Sequence, residues 1–185
     1  VDMIFSAPGK NQKIEFQGGE PLLNWEVIEE TVTYAETCAE KTGKQVSFVI
    51  CTNLLLITEE QLYFCRDHNI ALSTSLDGPE ELHDACRKTK AGGGTYALFV
   101  EKLLLARSIL GHDGVDSLMT TSSFSLERLR EVVEEYVRQG MSGIFIRSLN
   151  PYGFAAEQAA TLGYSAEDFV DNYLKTLDFI IELNR

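Results

Sequence analysis

The chain has 185 residues, of which 44% are hydrophobic and 24% are charged, so it can form one domain with a core and does not resemble a disordered chain. Its formal net charge of −12 argues against nucleic acid as a partner, because phosphates would be repelled. No apolar run approaches the roughly 20 residues that cross a bilayer, and the first residues lack a signal-peptide pattern. We therefore expect a cytoplasmic protein without a membrane partner.

The predicted elements alternate between strand and helix along the chain. Residues 1–7 are typical of a helix that ends at Pro8 and Gly9. Strands are then expected at 13–17, 45–51, 70–76, 115–122 and 143–149, and helices at 24–42, 58–68, 79–90, 96–110, 126–139 and from 165 to the end. Apolar strands joined by helices favour a parallel sheet in an α/β fold. Both an open doubly wound sheet and a partial or full (β/α) barrel fit this pattern.

The residues that follow the predicted strands are polar, glycine-rich or both. They read "QGGEP", "CTN", "SLDG", "TTSS" and "SLNPYG" in chain order. In both architectures, ligands bind at the carboxyl ends of the strands. Composition of this kind at all five ends favours a single ligand-binding face.

The stretch "GGEP" combines a permissive backbone with an acidic side chain. Gly18 and Gly19 allow a ligand to lie against the backbone, and Pro21 fixes the direction in which the chain leaves the strand. Glu20 lies between them, and an ammonium group is the natural partner for its carboxylate. A tight turn before a helix explains the same spacing equally well.

The stretch "STSLDGPEELHDACR", residues 73–87, carries a second set of candidate residues. Ser75 and Asp77 alternate onto one side of a strand end. His83 and Arg87 are four residues apart on the predicted helix and would share a face, from which Arg87 could bind a carboxylate with two hydrogen bonds. A solvated helix face is the simpler explanation for His83 and Arg87.

In this order, "IEFQGGEPLL", "CTN" and "STSLDGPEELHDACR" resemble the radical S-adenosylmethionine (radical SAM) enzymes. The resemblance is strongest to the peptide- and protein-modifying branch that includes the sulfatase-maturating enzymes. More narrowly, "LMTTSSFSLERLREVVEEYVRQGMSGIFIRSLNPYGFA" and "DFIIELNR" resemble the maturase of the His-Xaa-Ser peptide system. The resemblance implies a partial (β/α)6 TIM-like barrel, the radical SAM core, with about five β/α units present.

The resemblance also implies roles for individual residues in binding S-adenosylmethionine. The amino group of the cofactor would lie at "GGEP", its polar end at Ser75 and its carboxylate at Arg87. The complete cofactor-binding set comprises Gly18, Gly19, Glu20, Pro21, Thr52, Asn53, Ser75, Asp77, Arg87 and Leu149, with Leu149 against the adenine. Members of the family often have glycine after the asparagine of the "TN" strand end, where this chain has Leu54.

The cysteines do not provide the CxxxCxxC loop that holds the four-iron, four-sulfur cluster of this family. Cys38, Cys51, Cys65 and Cys86 have no metal-binding spacing, and we expect free, mostly buried thiols and no bound metal. Residues 1–185 are thus interpreted as the central part of a radical SAM core without its first β/α unit and C-terminal extension. The whole protein would use the cluster and S-adenosylmethionine to generate a 5′-deoxyadenosyl radical that modifies a peptide or protein, whereas the fragment itself is expected to be inactive.

Two other classes of function are compatible with the sequence. A lyase-type metabolic enzyme could use a (β/α) barrel. Such an enzyme would need a lysine at a strand end, and none of the five strand ends carries one, which counts against this alternative. A non-catalytic binding module on the same scaffold is the second alternative. Titration with S-adenosylmethionine separates these classes.

A sheet that lacks its first strand would expose the edge of the strand at 13–17. Unpaired N–H and C=O groups at such an edge bind other strands, so we predict a homodimer or higher oligomer through the edge at Ile14 and Phe16 or through a swapped terminus. Light scattering at tens of micromolar measures the mass. A particle with the mass of one chain would contradict this prediction.

Overall fold

The computed structural model describes residues 1–150 and 154–185. Five strands form one sheet in the order β1-β2-β3-β4-β5, comprising β1 Asn11–Phe16, β2 Gln45–Thr52, β3 Ile70–Ser75, β4 Val115–Thr120 and β5 Phe145–Arg147. The β1–β2, β2–β3 and β4–β5 pairs are parallel. The predicted α/β fold with a parallel sheet is therefore confirmed. Residues 151–153 of the "SLNPYG" strand end lie outside the described residues.

The helices are α1 Asp2–Ser6, α2 Trp25–Thr42, α3 Glu59–Asp67, α4 Glu80–Cys86, α5 Tyr96–Leu110, α6 Leu129–Arg138, α7 Phe154–Glu157, α8 Ala159–Leu162 and α9 Ala166–Leu183. Most begin and end within a few residues of the predicted bounds. The predicted helix at 79–90 is wrong at its end, because α4 stops at Cys86 and Arg87 is extended, with φ −120° and ψ 92°. Arg87 therefore does not share a helix face with His83.

The chain divides into two compact units, and the first comprises Val1–Thr74 and Phe99–Asp116. Its core follows from periodicity: α2 buries Ile28, Val32, Ala35 and Ala39 at helical spacing. In β2, alternate residues from Phe48 to Thr52 are buried, as expected for a strand covered on one face. Thr58 and Gln61 form a reciprocal capping box that fixes the start of α3. Helix α2 also contacts β2, so its buried face forms part of the core of this unit.

The second unit comprises Ser75–Leu98 and Ser117–Arg185. Helix α6 buries Leu129, Val132, Val133 and Tyr136 and packs against α9. The Tyr136 hydroxyl donates a hydrogen bond of 2.8 Å to the carbonyl of Leu76, directly after β3. The N–H of Leu76 donates in turn to the carbonyl of Leu118 in β4, at 3.1 Å. The segment after β3 is thus fixed from two sides.

The structure bears on the predictions about a membrane span and about an exposed sheet edge. Within 1–150 and 154–185, no helix has both the length and the apolar character that a membrane span requires. Strand β1 is the first in the sheet order and pairs with β2, so the described sheet has the edge on which the oligomer prediction depends. The oligomer itself stays a prediction.

Candidate functional site

Glu20 lies after β1, and its carboxylate accepts three hydrogen bonds from the protein. Oε1 accepts from the Thr52 hydroxyl at 2.6 Å and from the Leu22 N–H at 3.2 Å. Oε2 accepts from the N–H of Asn53 at 2.9 Å. Because β1 and β2 are parallel and end at the same edge, the carboxylate links the two strand ends. The structure thus brings Glu20, Thr52 and Asn53 together.

Gly18 and Gly19 precede this carboxylate and are exposed. Gly18 has φ +155°, which a residue with a side chain rarely adopts. A Cβ atom added at either glycine would meet nothing within 4 Å. Packing within the protein therefore does not require glycine at position 19. Pro21 begins a 3-10 turn, Pro21–Asn24, in which Glu20 is the N-cap residue.

The turn after Thr52 has an unusual backbone at Leu54. This residue has φ 70° and a fully buried side chain. A leucine in the left-handed region costs about 1–2 kcal/mol, whereas a glycine there costs little. Its N–H donates to the Thr52 hydroxyl at 3.0 Å, and the N–H of Leu55 donates to Asn53 Oδ1 at 3.0 Å. Leu54 thus adopts a backbone conformation that a glycine would favour.

In the second unit, Arg87 binds the buried carboxylate of Asp77. Arg87 Nε donates to Oδ2 at 2.6 Å and Nη2 to Oδ1 at 3.4 Å. The N–H of Thr120 donates to the same Oδ1 at 3.1 Å. The prediction that Arg87 forks onto a carboxylate is compatible with this geometry, but the carboxylate that it meets here belongs to the protein.

His83 is 1% exposed, so the expectation of a solvated helix face is wrong for this residue. Burial lowers the pKa of His83 to about 4, and the positive charge of Arg87 acts in the same direction while Asp77 opposes it. His83 Nδ1 accepts a hydrogen bond of 3.4 Å from the N–H of Asp77. The imidazole is therefore a neutral acceptor that holds the loop between β3 and α4. In the sequence, the four-residue spacing from Arg87 was the one feature that indicated His83 as a candidate residue.

Ser75 and Leu149, the two remaining predicted residues, enter neither hydrogen-bonded cluster. Ser75 ends β3 and is partly exposed. Leu149 follows β5, and its N–H donates to the Tyr164 hydroxyl at 2.7 Å. The backbone donors Leu22 and Thr120, in contrast, were missed because a main-chain N–H leaves no signal in residue type.

The cysteines do not fit an iron–sulfur cluster. All four are free, Cys65 is buried and the other three are partly buried, which is compatible with the expectation of free, mostly buried thiols. Burial, with help from Glu15, raises the pKa of Cys51 to about 11, which opposes the thiolate form that binds metals. In the part of the chain that the structure describes, no three His, Cys, Asp or Glu side chains are grouped to hold a metal ion.

Comparison with known protein families finds no family profile that matches the chain. Among individual proteins, an uncharacterised protein of Methanothermobacter thermautotrophicus is 28% identical over 172 residues, which cover 90% of this chain and 60% of that protein. The radical SAM cyclopropyl synthase TigE of Paramaledivibacter caminithermalis is 25% identical over 124 residues, 67% of this chain and 25% of that protein. A serine-type anaerobic sulfatase-maturating enzyme of Bacteroides thetaiotaomicron is 31% identical over 87 residues, 46% of this chain and 20% of that protein.

Among solved structures, anSMEcpe with bound AdoMet and the Kp18Cys peptide superposes with a TM-score of 0.82 at 21% identity, over 98% of this chain and 51% of that chain. This likeness confirms the predicted fold class, an α/β fold with a partial TIM-like barrel. The chain spans at most 60% of the length of these relatives. In sequence it is thus similar to a radical SAM enzyme and to a sulfatase-maturating enzyme.

The backbone strain at Leu54 predicts that replacement by glycine leaves a more stable protein than replacement by alanine, the reverse of the order expected inside a helix. Both Leu54→Ala and Leu54→Gly remove a buried side chain, which costs about 2–5 kcal/mol, but only glycine relieves the positive φ. We expect the glycine variant to unfold at higher denaturant than the alanine variant, with a difference of about 1 kcal/mol. Denaturant titration measures both.

The matched control for this pair is Leu62, which is fully buried within α3. There glycine should be less stable than alanine by about 1 kcal/mol, because glycine weakens a helix interior. If the alanine variant were more stable than the glycine variant at position 54 as well as at position 62, the backbone strain at Leu54 would be contradicted.

The lowered pKa of His83 predicts a loss of stability in acid. Its contribution is fully present above pH 6.5, the ordinary histidine pKa, and is lost as the pH falls toward 4, because the unfolded chain binds a proton that the buried ring does not. We expect wild type to lose roughly 2–3 kcal/mol more unfolding free energy between pH 7 and pH 4.5 than His83→Asn. Exposed His112 provides the control, since His112→Asn should follow wild type. Parallel pH curves for wild type and His83→Asn would refute the prediction.

Proposed function

We propose that this chain is the central, S-adenosylmethionine-binding part of a radical SAM enzyme that modifies a peptide or protein. The observation that carries the proposal is the fixed Glu20 carboxylate beside two exposed glycines at the end of β1. Support comes from the likeness in fold to anSMEcpe and from the sequence similarity to a radical SAM cyclopropyl synthase. The proposed cofactor-binding residues are those inferred from the sequence, except Asp77, whose carboxylate binds Arg87.

The chemistry of Glu20 fits the ammonium group of an amino acid. A carboxylate has about four acceptor sites, and the three donors from the protein leave one on Oε2. An ammonium group brings three donors and a positive charge. The backbone at Gly18 and Gly19 is open on the side where a Cβ atom would stand, so a ligand can approach the main chain.

Arg87 fits a carboxylate group, and the sequence resemblance is the basis for assigning it the carboxylate of S-adenosylmethionine. Its guanidinium is partly exposed and carries five N–H groups, of which two point to Asp77. Thr52 and Asn53 keep the position of Glu20 fixed. When bound together with a reduced iron–sulfur cluster, S-adenosylmethionine supplies a 5′-deoxyadenosyl radical. The residues of this chain bind and orient the amino-acid part of the cofactor, and we place the ligands of the cluster in sequence outside residues 1–185.

The substrate in this proposal is a peptide or protein. Two of the similar proteins act on or bind such molecules by name: the sulfatase-maturating enzyme, and anSMEcpe with its bound peptide. The narrower assignment to the His-Xaa-Ser system rests on the C-terminal sequence resemblance. Fragment 1–185 alone should not perform the reaction.

Gly19→Val tests the open backbone. A Cβ atom at this position meets no protein atom within 4 Å, so we expect folding to be unaffected, but the valine side chain would occupy the space of the ligand. We expect the affinity of the full-length, cluster-loaded protein for S-adenosylmethionine to fall about tenfold or more, with an unchanged melting temperature. Isothermal titration and thermal melting measure the two quantities.

Gly143→Val is the matched control, because it adds the same side chain in open space before β5. It should bind the cofactor as wild type does. Normal binding by Gly19→Val would show that no ligand approaches the backbone there. Glu20→Gln is a poorer test, since an amide cannot accept all three protein hydrogen bonds and would disturb the turn as well.

A further inference from the structure

The ion pair of Asp77 and Arg87 is asymmetric in its exposure. The side chain of Asp77 is 5% exposed, whereas that of Arg87 is 29% exposed. Asp77 uses both carboxylate oxygens, and the guanidinium uses Nε and Nη2. Within the described residues the contacts of the guanidinium go to Asp77, which leaves Nη1 and one N–H of Nη2 directed away from the pair. Those two nitrogens form the second of the two edges with which an arginine binds a carboxylate.

We propose that Asp77 is a positioning residue, which does not touch the cofactor and instead fixes Arg87 so that its Nη1–Nη2 edge binds the carboxylate of S-adenosylmethionine. This inference rests on the proposed function. It corrects the sequence prediction, which placed Asp77 among the groups that contact the cofactor. Direct contact between Asp77 and the carboxylate of the cofactor would bring two like charges together. With Arg87 between them, each carboxylate meets N–H donors.

The backbone around the pair is fixed at both ends. The N–H of Thr120, the last residue of β4, donates to Asp77 Oδ1 at 3.1 Å, and the Asp77 N–H donates to His83 at 3.4 Å. The N–H of Arg87 donates to the His83 carbonyl at 2.8 Å. The Thr95 hydroxyl donates to the Arg87 carbonyl at 2.8 Å. These bonds fix the backbone on both sides of the pair, and the two hydrogen bonds to Asp77 orient the guanidinium itself.

A pair that served stability alone would gain little from this arrangement. Buried ion pairs repay their desolvation poorly, and a well-packed apolar pair is often as stable. A rigid guanidinium with one exposed edge, in contrast, binds a carboxylate without losing side-chain freedom at that moment. The arrangement therefore suits recognition of an anion better than stabilisation.

The first experiment needs no ligand. Nitrogen-15 NMR of the 185-residue chain follows the Nε–H signals of the arginines, and the Arg87 signal is assigned by its loss in Arg87→Lys. We expect the hydrogen-bonded Arg87 Nε–H to exchange with water at least about tenfold faster in Asp77→Asn, because the charge-assisted hydrogen bond is weakened. The signal of exposed Arg185 should not change. Unchanged exchange at Arg87 would show that Asp77 does not fix it.

The second experiment compares two ligands on the full-length, cluster-loaded protein. Decarboxylated S-adenosylmethionine lacks the group that Arg87 is inferred to bind. Asp77→Asn should weaken binding of S-adenosylmethionine about tenfold or more and leave binding of the decarboxylated form within about twofold of wild type. Asp77→Glu, which keeps the charge, should recover part of the affinity.

Asp84→Asn is the control for a purely structural effect. The carboxylate of Asp84 accepts from the N–H groups of Thr95 and Tyr96 at 2.7 and 2.8 Å, at the start of α5. Its substitution should change the affinities for both ligands alike or not at all. Equal losses for both ligands in Asp77→Asn, or no loss for either, would overturn the inference.

If the proposed function is wrong, the binding experiment gives a different result. In that case the wild-type protein binds neither ligand, which also removes the role of Arg87 in binding the cofactor. The NMR experiment still decides whether Asp77 fixes the guanidinium.

Discussion

The carboxylate of Glu20 is the acceptor on which the ends of β1 and β2 depend. The Thr52 hydroxyl and the Asn53 N–H come from the end of β2, and the Leu22 N–H comes from the turn that follows Glu20 itself. Removal of the carboxylate would leave a buried threonine and two backbone donors to find other acceptors, which is costly in a protein interior. One side chain thus fixes both the start of the 3-10 turn and the turn after β2.

The same contacts explain how the chain keeps Leu54 at a positive φ. The Leu54 N–H donates to the hydroxyl of Thr52, which itself donates to Glu20. A strained residue persists where its surroundings determine its conformation, and its fully buried side chain offsets part of the strain. A similar arrangement occurs in the second unit, where the Asp77 N–H donates to His83 and the Asp77 carboxylate accepts from Arg87. Each of these polar groups is thus held by another group of the protein. Preorganised groups of this kind lose little freedom on binding.

Hydrophobic periodicity and capping residues predicted most of the fold. Apolar residues at helical spacing located α2, and Thr58 with Gln61 marked the start of α3. The β-branched run "QVSFVIC" located β2. Glycines, proline and polar residues after the strands pointed to Glu20, Thr52 and Asn53, because these cues depend on neighbours in the chain.

The rest of the candidate site depends on contacts between distant residues. Helix α4 ends four residues before its predicted end, and the extended Arg87 pairs with Asp77, a contact that no local pattern encodes. Burial of His83 depends on packing in the second unit, and its residue type gives no indication of it. Leu54 is a stronger case, because leucine disfavours the backbone conformation that it adopts.

In the proposed function the whole protein would cleave S-adenosylmethionine by radical chemistry. The most direct test is to incubate the anaerobically reconstituted full-length protein with S-adenosylmethionine and a strong reductant, and to separate the products by chromatography. We expect 5′-deoxyadenosine and methionine in equal amounts, formed only in the presence of the reductant. Intact S-adenosylmethionine after incubation with a protein that carries its cluster, or S-adenosylhomocysteine as the product, would contradict it.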